Sequence, residues 1–278
     1  MPTPDELQRF LDVATEAARA GGAVLQQYYG QLTSVEEKGR QGDLVTNADR
    51  ESETAILAIM RQHLPHHAIL AEESGQTPDA EENDFLWAID PLDGTTNYAH
   101  QYPFFAVSIG LLFQGKPVVG VVYAPFLNEL YQAAQGLGAR CNRQPIQISS
   151  TPKLAQSLLV TGFAYDRYQT DDNNYAEFNR LTHLTQGVRR GGSAAVDLAF
   201  VACGRLDGYW ERGLSAWDLA AGIILVQEAG GCATAYDQSP FDIFSGRVLA
   251  TNGLLHQELS QVLVETRPLG HPDQYRQS

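Results

Sequence analysis

The chain has 278 residues, of which 44% are apolar, and it carries a formal net charge of −14 at pH 7. That length allows a sizeable hydrophobic core, and the negative charge argues against nucleic acid as a partner, because nucleic-acid binding needs clustered Lys and Arg side chains. No apolar run is long enough to span a bilayer and the N-terminus lacks a signal-peptide pattern, so we expect a soluble cytoplasmic protein without a membrane partner.

The first half of the chain predicts two helices followed by an antiparallel meander. Thr3-Pro4-Asp5-Glu6 is typical of a capped helix start, and Gly30 should end this helix. A second helix is expected from Asn47 to His63. Strands are expected at the apolar or alternating runs 68–71, 85–89, 107–111, 118–123, 130–134 and 139–142.

After Pro152 the pattern changes to alternating strands and helices, which is typical of an α/β arrangement. Strands are expected at 158–161, 188–190, 206–211, 232–236 and 248–250, and helices at 174–184, 193–203, 219–229 and 254–264. We expect one domain over residues 1–278 with a soft internal boundary near 150. The acidic loop 76–84 should be solvated and the tail 267–278 frayed.

The segment Asp90-Pro91-Leu92-Asp93-Gly94-Thr95 carries the strongest functional signal. Pro91 cannot continue a sheet ladder, so two carboxylates are expected where a strand ends. Hard cations such as Mg²⁺ prefer carboxylate oxygens, and Leu92 could add its carbonyl because the kink leaves it without a ladder partner. The N–H groups of Gly94 and Thr95 could hold a phosphate. The segment predicts Mg²⁺-dependent chemistry on a phosphate; the alternative is a capped turn with solvated aspartates.

Further carboxylates lie at the ends of predicted elements, where open α/β sheets place their ligands. Glu72 follows the strand at 68–71, and Asp218 opens the helix at 219–229. With Asp90 and Asp93 they could hold two or more Mg²⁺ ions, as in two-metal phosphatase sites. Asp218 could instead serve only as the acid of a capping box.

Thr95 and Asp49 could activate water. The Thr95 hydroxyl could orient a metal-bound water, and Asp49 could accept that hydroxyl's proton. Both residues also fit purely structural roles at helix starts, Thr95 as an N-cap and Asp49 as a first-turn acid.

Two segments are candidates for binding the rest of a substrate. Gly191-Gly192-Ser193-Ala194 opens a helix and could either line the substrate or only cap the helix. Glu211 could bind substrate hydroxyl groups or form a surface ion pair with Arg212. Cys203 and Cys232 lie in apolar patterns and are expected to be buried thiols, whereas the histidines are expected to be solvated.

These motifs resemble those of the inositol monophosphatase family. Asp90-Pro91-Leu92-Asp93-Gly94-Thr95 is similar to the family's metal-binding signature, and Trp217-Asp218-Leu219-Ala220-Ala221-Gly222, running on to Gly230-Gly231, is similar to its second signature. Glu72-Glu73-Ser74 and the segment 43–49 also fit in order and spacing. The resemblance extends over nearly the whole chain.

The resemblance implies the layered αβαβα sandwich of the sugar phosphatases, a superfamily that includes fructose-1,6-bisphosphatase. It also implies a homodimer and inhibition by lithium. It implies two or three Mg²⁺ ions held by Glu72, Asp90, the Leu92 carbonyl, Asp93 and Asp218. Water would be activated by Thr95 with Asp49 or Glu72. The implied substrate contacts are Asp93, Gly94, Thr95, Gly192, Ser193, Ala194 and Glu211.

The leading hypothesis is a Mg²⁺-dependent phosphomonoesterase that hydrolyses inositol 1-phosphate to inositol and phosphate by metal-activated water. The alternatives are a histidinol-phosphate or fructose-1,6-bisphosphate phosphatase of the same family, and a non-catalytic regulator on this fold. Arg212, beside Glu211, could add affinity for a second anionic group.

Overall fold

The computed structural model describes residues 1–40, 42–78 and 83–269, which alternate between helices and strands. The α-helices are α1 (Pro4–Tyr28), α2 (Asn47–His63), α3 (Thr95–Ala99), α4 (Tyr175–Leu184), α5 (Ala194–Ala202), α6 (Ala216–Glu228) and α7 (His256–Glu265). The strands are β1 (Val35–Glu37), β2 (Leu44–Thr46), β3 (Ala68–Ala71), β4 (Gly75–Gln76), β5 (Phe85–Asp93), β6 (Ala106–Phe113), β7 (Lys116–Ala124), β8 (Glu129–Ala134), β9 (Gly138–Cys141), β10 (Gln144–Pro145), β11 (Leu158–Thr161), β12 (Gly187–Arg189), β13 (Gly208–Arg212), β14 (Cys232–Thr234) and β15 (Arg247–Thr251). Short 3₁₀ helices lie at Leu154–Gln156 and Ile243–Ser245.

The strands form two main sheets and a small ribbon. The larger sheet has the order β10-β9-β8-β7-β6-β5-β3-β4, and only its β3–β5 pair is parallel in the part of the chain described. The smaller sheet has the order β12-β11-β13-β15-β14, with parallel pairing of β12, β11 and β13. β1 and β2 pair as the separate ribbon, which the sequence did not predict.

These elements stack in five layers. α1 and α2 cover one face of the larger sheet, α5 and α6 lie between the two sheets, and α4 and α7 cover the outer face of the smaller sheet. The predicted αβαβα sandwich is thereby confirmed. The apolar cluster between the sheets joins residues on both sides of position 150, whereas the two outer clusters each belong to one half of the chain.

The middle layer depends on a very close approach of α6 to the larger sheet. The helix is apolar all round and buried from Leu219 to Val226, as expected for a helix between two sheets. A Cβ atom on Gly110 would lie 2.4 Å from Ala220 Cβ, and one on Gly120 would lie 2.4 Å from Ile224 Cγ2. Only glycine therefore fits at these two sheet positions, and their contact fixes how α6 lies over β5, β6 and β7.

The helix starts follow their capping signals. Thr3 and Glu6 form the expected capping box at the start of α1. α2 has the predicted bounds, and Thr46 with Asp49 forms a second capping box there. α6 begins slightly earlier than predicted, at Ala216, and also has a capping box, between Ser215 and Asp218.

Four predictions about local structure need correction. Strand β5 does not end at residue 89 but continues to Asp93, because the chain bulges at Pro91 and resumes pairing beyond it. Thr95 does not cap α3, since Gly94, in a left-handed conformation at φ 96°, occupies the N-cap position. Cys203 and Cys232 are free thiols, as expected, but are only partly buried.

Two histidines are the fourth correction, whereas His66, His100 and His183 are exposed as expected. His67 stacks on Phe85 with ring centroids 4.6 Å apart and accepts a hydrogen bond from Trp87 Nε1. Burial lowers the pKa of His67 to about 4. His256 is buried between the hydroxyls of Thr234 and Thr251. Both sit in partly apolar surroundings that their sequence neighbours do not reveal.

Two expectations reach beyond the described residues. The acidic loop 76–84 includes positions 79–82, and the tail from 267 includes positions 270–278, which lie outside the described ranges. Among the residues described, none of the helices combines the length and apolar character needed to cross a membrane.

Candidate active site

A bulge in β5 brings two aspartates to the same place. Asp90 pairs with Ser108 and Asp93 with Ala106, so Pro91 and Leu92 together lie opposite a single residue of β6. Such a bulge bends the strand and redirects its side chains. Asp90 and Asp93 are both buried. The proline therefore interrupts the ladder as predicted, although the strand survives it.

The first turn of α6 adds a third carboxylate. One oxygen each from Asp90, Asp93 and Asp218 lies within 4.8 Å of the other two. Asp218 Oδ2 also accepts a hydrogen bond of 2.6 Å from the Ser215 N–H. The capping role and the role in the cluster are thus compatible, because the carboxylate has a second oxygen.

Burial and mutual repulsion make this carboxylate cluster costly without a counter-charge. Burial, followed by the neighbouring carboxylates, raises the pKa values of Asp90 and Asp218 well above their usual range. Burial raises the pKa of Asp93 to about 6, against hydrogen bonds from Ser193 and Ala195 that lower it. A hard divalent cation fits this donor set, since it would neutralise several buried oxygens at once.

Glu72 lies at the edge of the carboxylate cluster. It follows β3, and its negative charge helps to raise the pKa of Asp90. Its Oε1 accepts a hydrogen bond of 2.9 Å from Lys38 Nζ, which also pairs with Glu73. Lys38 lies in the turn between β1 and β2, and its ion pair with Glu72 was not predicted from the sequence.

Thr95 and Asp49 meet beside the bulge. Thr95 Oγ1 lies 3.0 Å from Asp49 Oδ1 and 3.0 Å from the Leu92 carbonyl, and its proton can be donated to either. Leu92 is indeed outside the sheet ladder, as predicted. Burial raises the pKa of Asp49 to about 7, against hydrogen bonds from Thr46 that lower it. A carboxylate with such a pKa can accept or release a proton near neutral pH.

One face of α2 supports the whole arrangement. Besides Asp49, Ser52 donates a hydrogen bond of 2.9 Å to the Pro91 carbonyl. The Glu53 carboxylate accepts hydrogen bonds of 2.9 Å from the N–H groups of Glu73 and Ser74. Ser52 and Glu53 were missed in the sequence. The available signal was their spacing, because buried polar residues three and four positions after Asp49 lie on the same helix face.

The predicted substrate segment joins the carboxylate cluster directly. Asp93 Oδ2 accepts hydrogen bonds of 2.7 Å from Ser193 Oγ and 2.6 Å from the Ala195 N–H, at the start of α5. Ser193 is the N-cap of that helix, so the capping interpretation of the segment is confirmed. Asn97, which was not predicted, donates hydrogen bonds to the carbonyls of Phe104 and Gly191. Gly192 (φ 89°) and the buried Ala194 complete the turn beside Asp93.

Glu211 lies near enough to this turn to come under the charges of Arg190 and Asp93. It is buried, and its Oε2 accepts a hydrogen bond of 2.7 Å from Tyr209 Oη. Burial raises the pKa of Glu211 to about 7. The predicted alternative, a surface ion pair with Arg212, is wrong. Arg212 binds Asp166 through two bonds of 2.7 Å and Asp172 at 3.2 Å, so it is not available for a second anionic group either.

Asp197 is another buried acid that the sequence did not single out. It lies in the first turn of α5, beneath Gly191, and neither of its carboxylate oxygens has a hydrogen-bond partner in the described structure. Burial raises its pKa well above the usual range, and the charges of Glu211 and Asp93 add to the effect. The first turn of α5 therefore holds a buried carboxyl group that favours its neutral form.

Comparison with known proteins agrees with this geometry. A model of the inositol monophosphatase family matches residues 6–268. The inositol-1-monophosphatase of Synechocystis sp. is 62% identical over 264 residues, which cover 95% of this chain and 92% of that protein. The Nus factor SuhB of Pseudomonas aeruginosa is 42% identical, with 88% of this chain and 92% of that protein covered.

A solved structure gives the same result for the fold. The inositol monophosphatase from Anabaena (Nostoc) sp. matches with a TM-score of 0.88 and 61% identity, and the match covers 95% of this chain and 98% of that one. Fold, carboxylate cluster and sequence therefore agree: the chain belongs to the inositol monophosphatase family and is a phosphatase.

Proposed function

We propose that the chain is a Mg²⁺-dependent phosphomonoesterase that hydrolyses inositol 1-phosphate to inositol and phosphate. The observation that carries this proposal is the cluster of Asp90, Asp93 and Asp218 within 4.8 Å, beside the Thr95–Asp49 pair. Its 62% identity to an inositol-1-monophosphatase supports the choice of substrate.

The ligands of two or three Mg²⁺ ions would be Glu72, Asp90, the Leu92 carbonyl, Asp93 and Asp218. All are hard oxygen donors, as Mg²⁺ prefers, and three of them already converge. When bound, the ions would polarise the phosphate and lower the pKa of a water molecule. The Leu92 carbonyl accepts one hydrogen bond from Thr95 and retains a second lone pair.

Thr95 and Asp49 would move the proton of the attacking water. Thr95 Oγ1 accepts that proton while passing its own to Asp49 Oδ1, 3.0 Å away. With a pKa of about 7, Asp49 is ionised in a sufficient fraction of molecules at neutral pH to act as the base. Glu72 is the alternative base, but its ion pair with Lys38 favours Asp49 for this role.

The remaining polar groups would hold the two ends of the ester. The N–H groups of Gly94 and Thr95, at the start of α3, would hold the phosphate end. The polyol hydroxyls would bind Asp93, Glu211 and the Gly192-Ser193-Ala194 turn. The hydrogen bond between Ser193 and Asp93 supports this arrangement because it keeps the polyol end next to the metal ligands.

We also propose that the enzyme is a homodimer, inhibited by Li⁺, that works in the cytoplasm without nucleic-acid or membrane partners. The net charge of −14 supports the absence of nucleic acid, since it would repel phosphate backbones. Light scattering on the purified chain would test the dimer.

A panel of esters tests the substrate. Phosphate release is measured with Mg²⁺, with and without Li⁺, from inositol 1-phosphate, fructose 1,6-bisphosphate, histidinol phosphate and adenosine 3′,5′-bisphosphate. The proposal predicts the highest kcat/KM for inositol 1-phosphate and loss of that activity in Li⁺. Preference for another ester would keep the mechanism and change the substrate. No release from any ester would favour a regulatory role, which the 42% identity to a Nus factor makes the competing hypothesis.

A further inference from the structure

One positive side chain at the substrate pocket is not explained by the proposed chemistry. Arg190 follows β12 and comes directly before the Gly191–Gly192 turn. Among the described residues it has neither an ion pair nor a side-chain hydrogen bond, although its guanidinium folds back over this turn. A Cβ atom on Gly192 would lie 2.5 Å from Arg190 Nη1 and 2.9 Å from Asn97 Nδ2. The guanidinium thus lies against the turn that would line the substrate.

The charge of Arg190 acts on the acids at the polyol end of the pocket. Asp93, Asp197 and Glu211 all come under its influence, although no oxygen of theirs is close enough for an ion pair. Two other cations near the site in the described structure are already paired. Lys38 binds Glu72 and Glu73, and Arg212 binds Asp166 and Asp172. Arg190 is therefore the cation still able to bind an anion from solution in the described part of the pocket.

We propose that Arg190 is a specificity-determining residue that binds a second anionic group of the substrate, such as the distal phosphate of a sugar bisphosphate. This inference rests on the proposed phosphatase function and extends it to bisphosphorylated esters. The carboxylate cluster would hold the first phosphate through its metals. The Gly192 turn and Glu211 lie between, and Arg190 reaches the far end of the ester. A guanidinium presents a planar fork of donors that matches two phosphate oxygens.

The acidity of the pocket is what gives one arginine a large effect. The chain is strongly negative, and several buried acids surround the polyol end. A second phosphate entering this region is repelled unless a cation stands at its binding point. The sequence analysis considered Arg212 for this role. Because Arg212 is already paired with Asp166 and Asp172, we assign the role to Arg190 instead.

The neighbouring arginine provides a matched control. Arg189 is also exposed and without an ion pair in the described structure, but successive side chains of an extended chain point to opposite faces. Its Nη1 stays near its own strand, 3.5 Å from the Val188 carbonyl and close to Gly187. Arg189→Gln removes the same charge one residue away without touching the pocket side of the turn.

The test compares two substrates that differ only in the second phosphate, fructose 1,6-bisphosphate and fructose 1-phosphate. Arg190→Gln should lower kcat/KM for the bisphosphate about tenfold, mainly through KM, and that for the monophosphate about twofold or less. Arg190→Lys should restore part of the loss, and the preference for the bisphosphate should weaken with added salt. Arg189→Gln should leave the ratio of the two kcat/KM values unchanged.

Three results would overturn the proposal: an equal fall for both esters, no change for either, or the same effect from Arg189→Gln. If the parent enzyme hydrolyses neither ester nor inositol 1-phosphate, the proposed function fails separately. Calorimetric binding of the two fructose esters then still decides the role of Arg190. Tighter binding of the bisphosphate that disappears in Arg190→Gln supports the role, and equal binding of both esters by the parent chain refutes it.

Discussion

Replacing Asp90 by Asn should stabilise the metal-free protein and weaken the metal-bound one. The substitution keeps the shape of the side chain and its Oδ1, which accepts the Leu92 N–H at 2.9 Å. It removes one of three negative charges whose oxygens lie within 4.8 Å. The free energy of unfolding should therefore rise without Mg²⁺, and the response to Mg²⁺ should shrink because one ligand is lost.

The size of the effect follows from the distances. Two full charges at 4.8 Å repel each other by about 3.5 kcal/mol at an effective dielectric constant of about 20. Asp90 takes part in two such pairs, but retained protons relieve part of the repulsion. We therefore expect a gain of about 1–3 kcal/mol, on the order of 5 °C in Tm for a chain of this size. Mg²⁺ at about 100 times its Kd should add about 2.7 kcal/mol to the parent and less to the variant.

The gain should also depend on pH. The folded-state pKa of Asp90 is raised, so its protonated form is favoured by folding and its contribution to stability is lost as pH rises above the ordinary value of 3.8. The advantage of Asn should be smaller at pH 5 than at pH 8. Differential scanning calorimetry at both pH values, with EDTA or with Mg²⁺, measures it.

The exposed Asp171 supplies the control, because Asp171→Asn removes the same charge from a residue outside the carboxylate cluster. Its Tm should change little under any of these conditions. The reasoning is refuted if Asp90→Asn lowers the Tm at pH 8 in EDTA, or if Mg²⁺ stabilises parent and variant equally.

Three further predictions concern single groups of the site. Thr95→Val should lower kcat about 100-fold or more with KM little changed, whereas Thr95→Ser should retain most activity because it keeps the hydroxyl. Steady-state kinetics measures both variants, and an equal loss of activity in the two would contradict the role of the hydroxyl. Glu211, with a pKa of about 7, should bind substrate hydroxyls better as it ionises, so KM should fall as pH rises through 7. Tyr209→Phe removes a hydrogen bond that stabilises the ionised form and should move this change to higher pH, and an unmoved profile would count against it. Asp197→Asn should raise Tm more at pH 8 than at pH 5, because the raised folded-state pKa of Asp197 costs stability increasingly as pH rises above the ordinary value of 3.8; a lower Tm at both pH values would contradict this.

Much of the fold could be predicted because local signals determine it. Capping boxes and apolar periodicity gave correct bounds for α2 and close bounds for the other longer helices. The alternation of apolar and polar residues likewise revealed the meander from β6 to β9. The five-layer order could not be worked out from such signals, since it depends on contacts between distant segments, and the family resemblance supplied it.

In the site too, the features set by local sequence could be predicted, and those set by contacts between distant segments could not. Asp90, Asp93, Leu92 and Thr95 lie in one short segment with its own turn chemistry, so their proximity was predictable. Their supports come from elsewhere in the chain. Ser52 and Glu53, which fix the Pro91 carbonyl and the turn after β3, read as ordinary helix residues. Arg190 and Arg212 are both arginines beside predicted site residues, and only the three-dimensional structure shows that Arg212 is already paired. Ion pairing between segments far apart in sequence leaves no local pattern.

The most direct test of the account is isotope transfer from water during Mg²⁺-dependent hydrolysis of inositol 1-phosphate. The enzyme is incubated with the ester in ¹⁸O-labelled water, with Mg²⁺ or with EDTA, and both products are analysed by mass spectrometry. Attack by water at phosphorus predicts one heavy oxygen in the released phosphate, unlabelled inositol, and no reaction in EDTA. Label in the inositol, full activity in EDTA, or no release of phosphate under either condition would contradict the account.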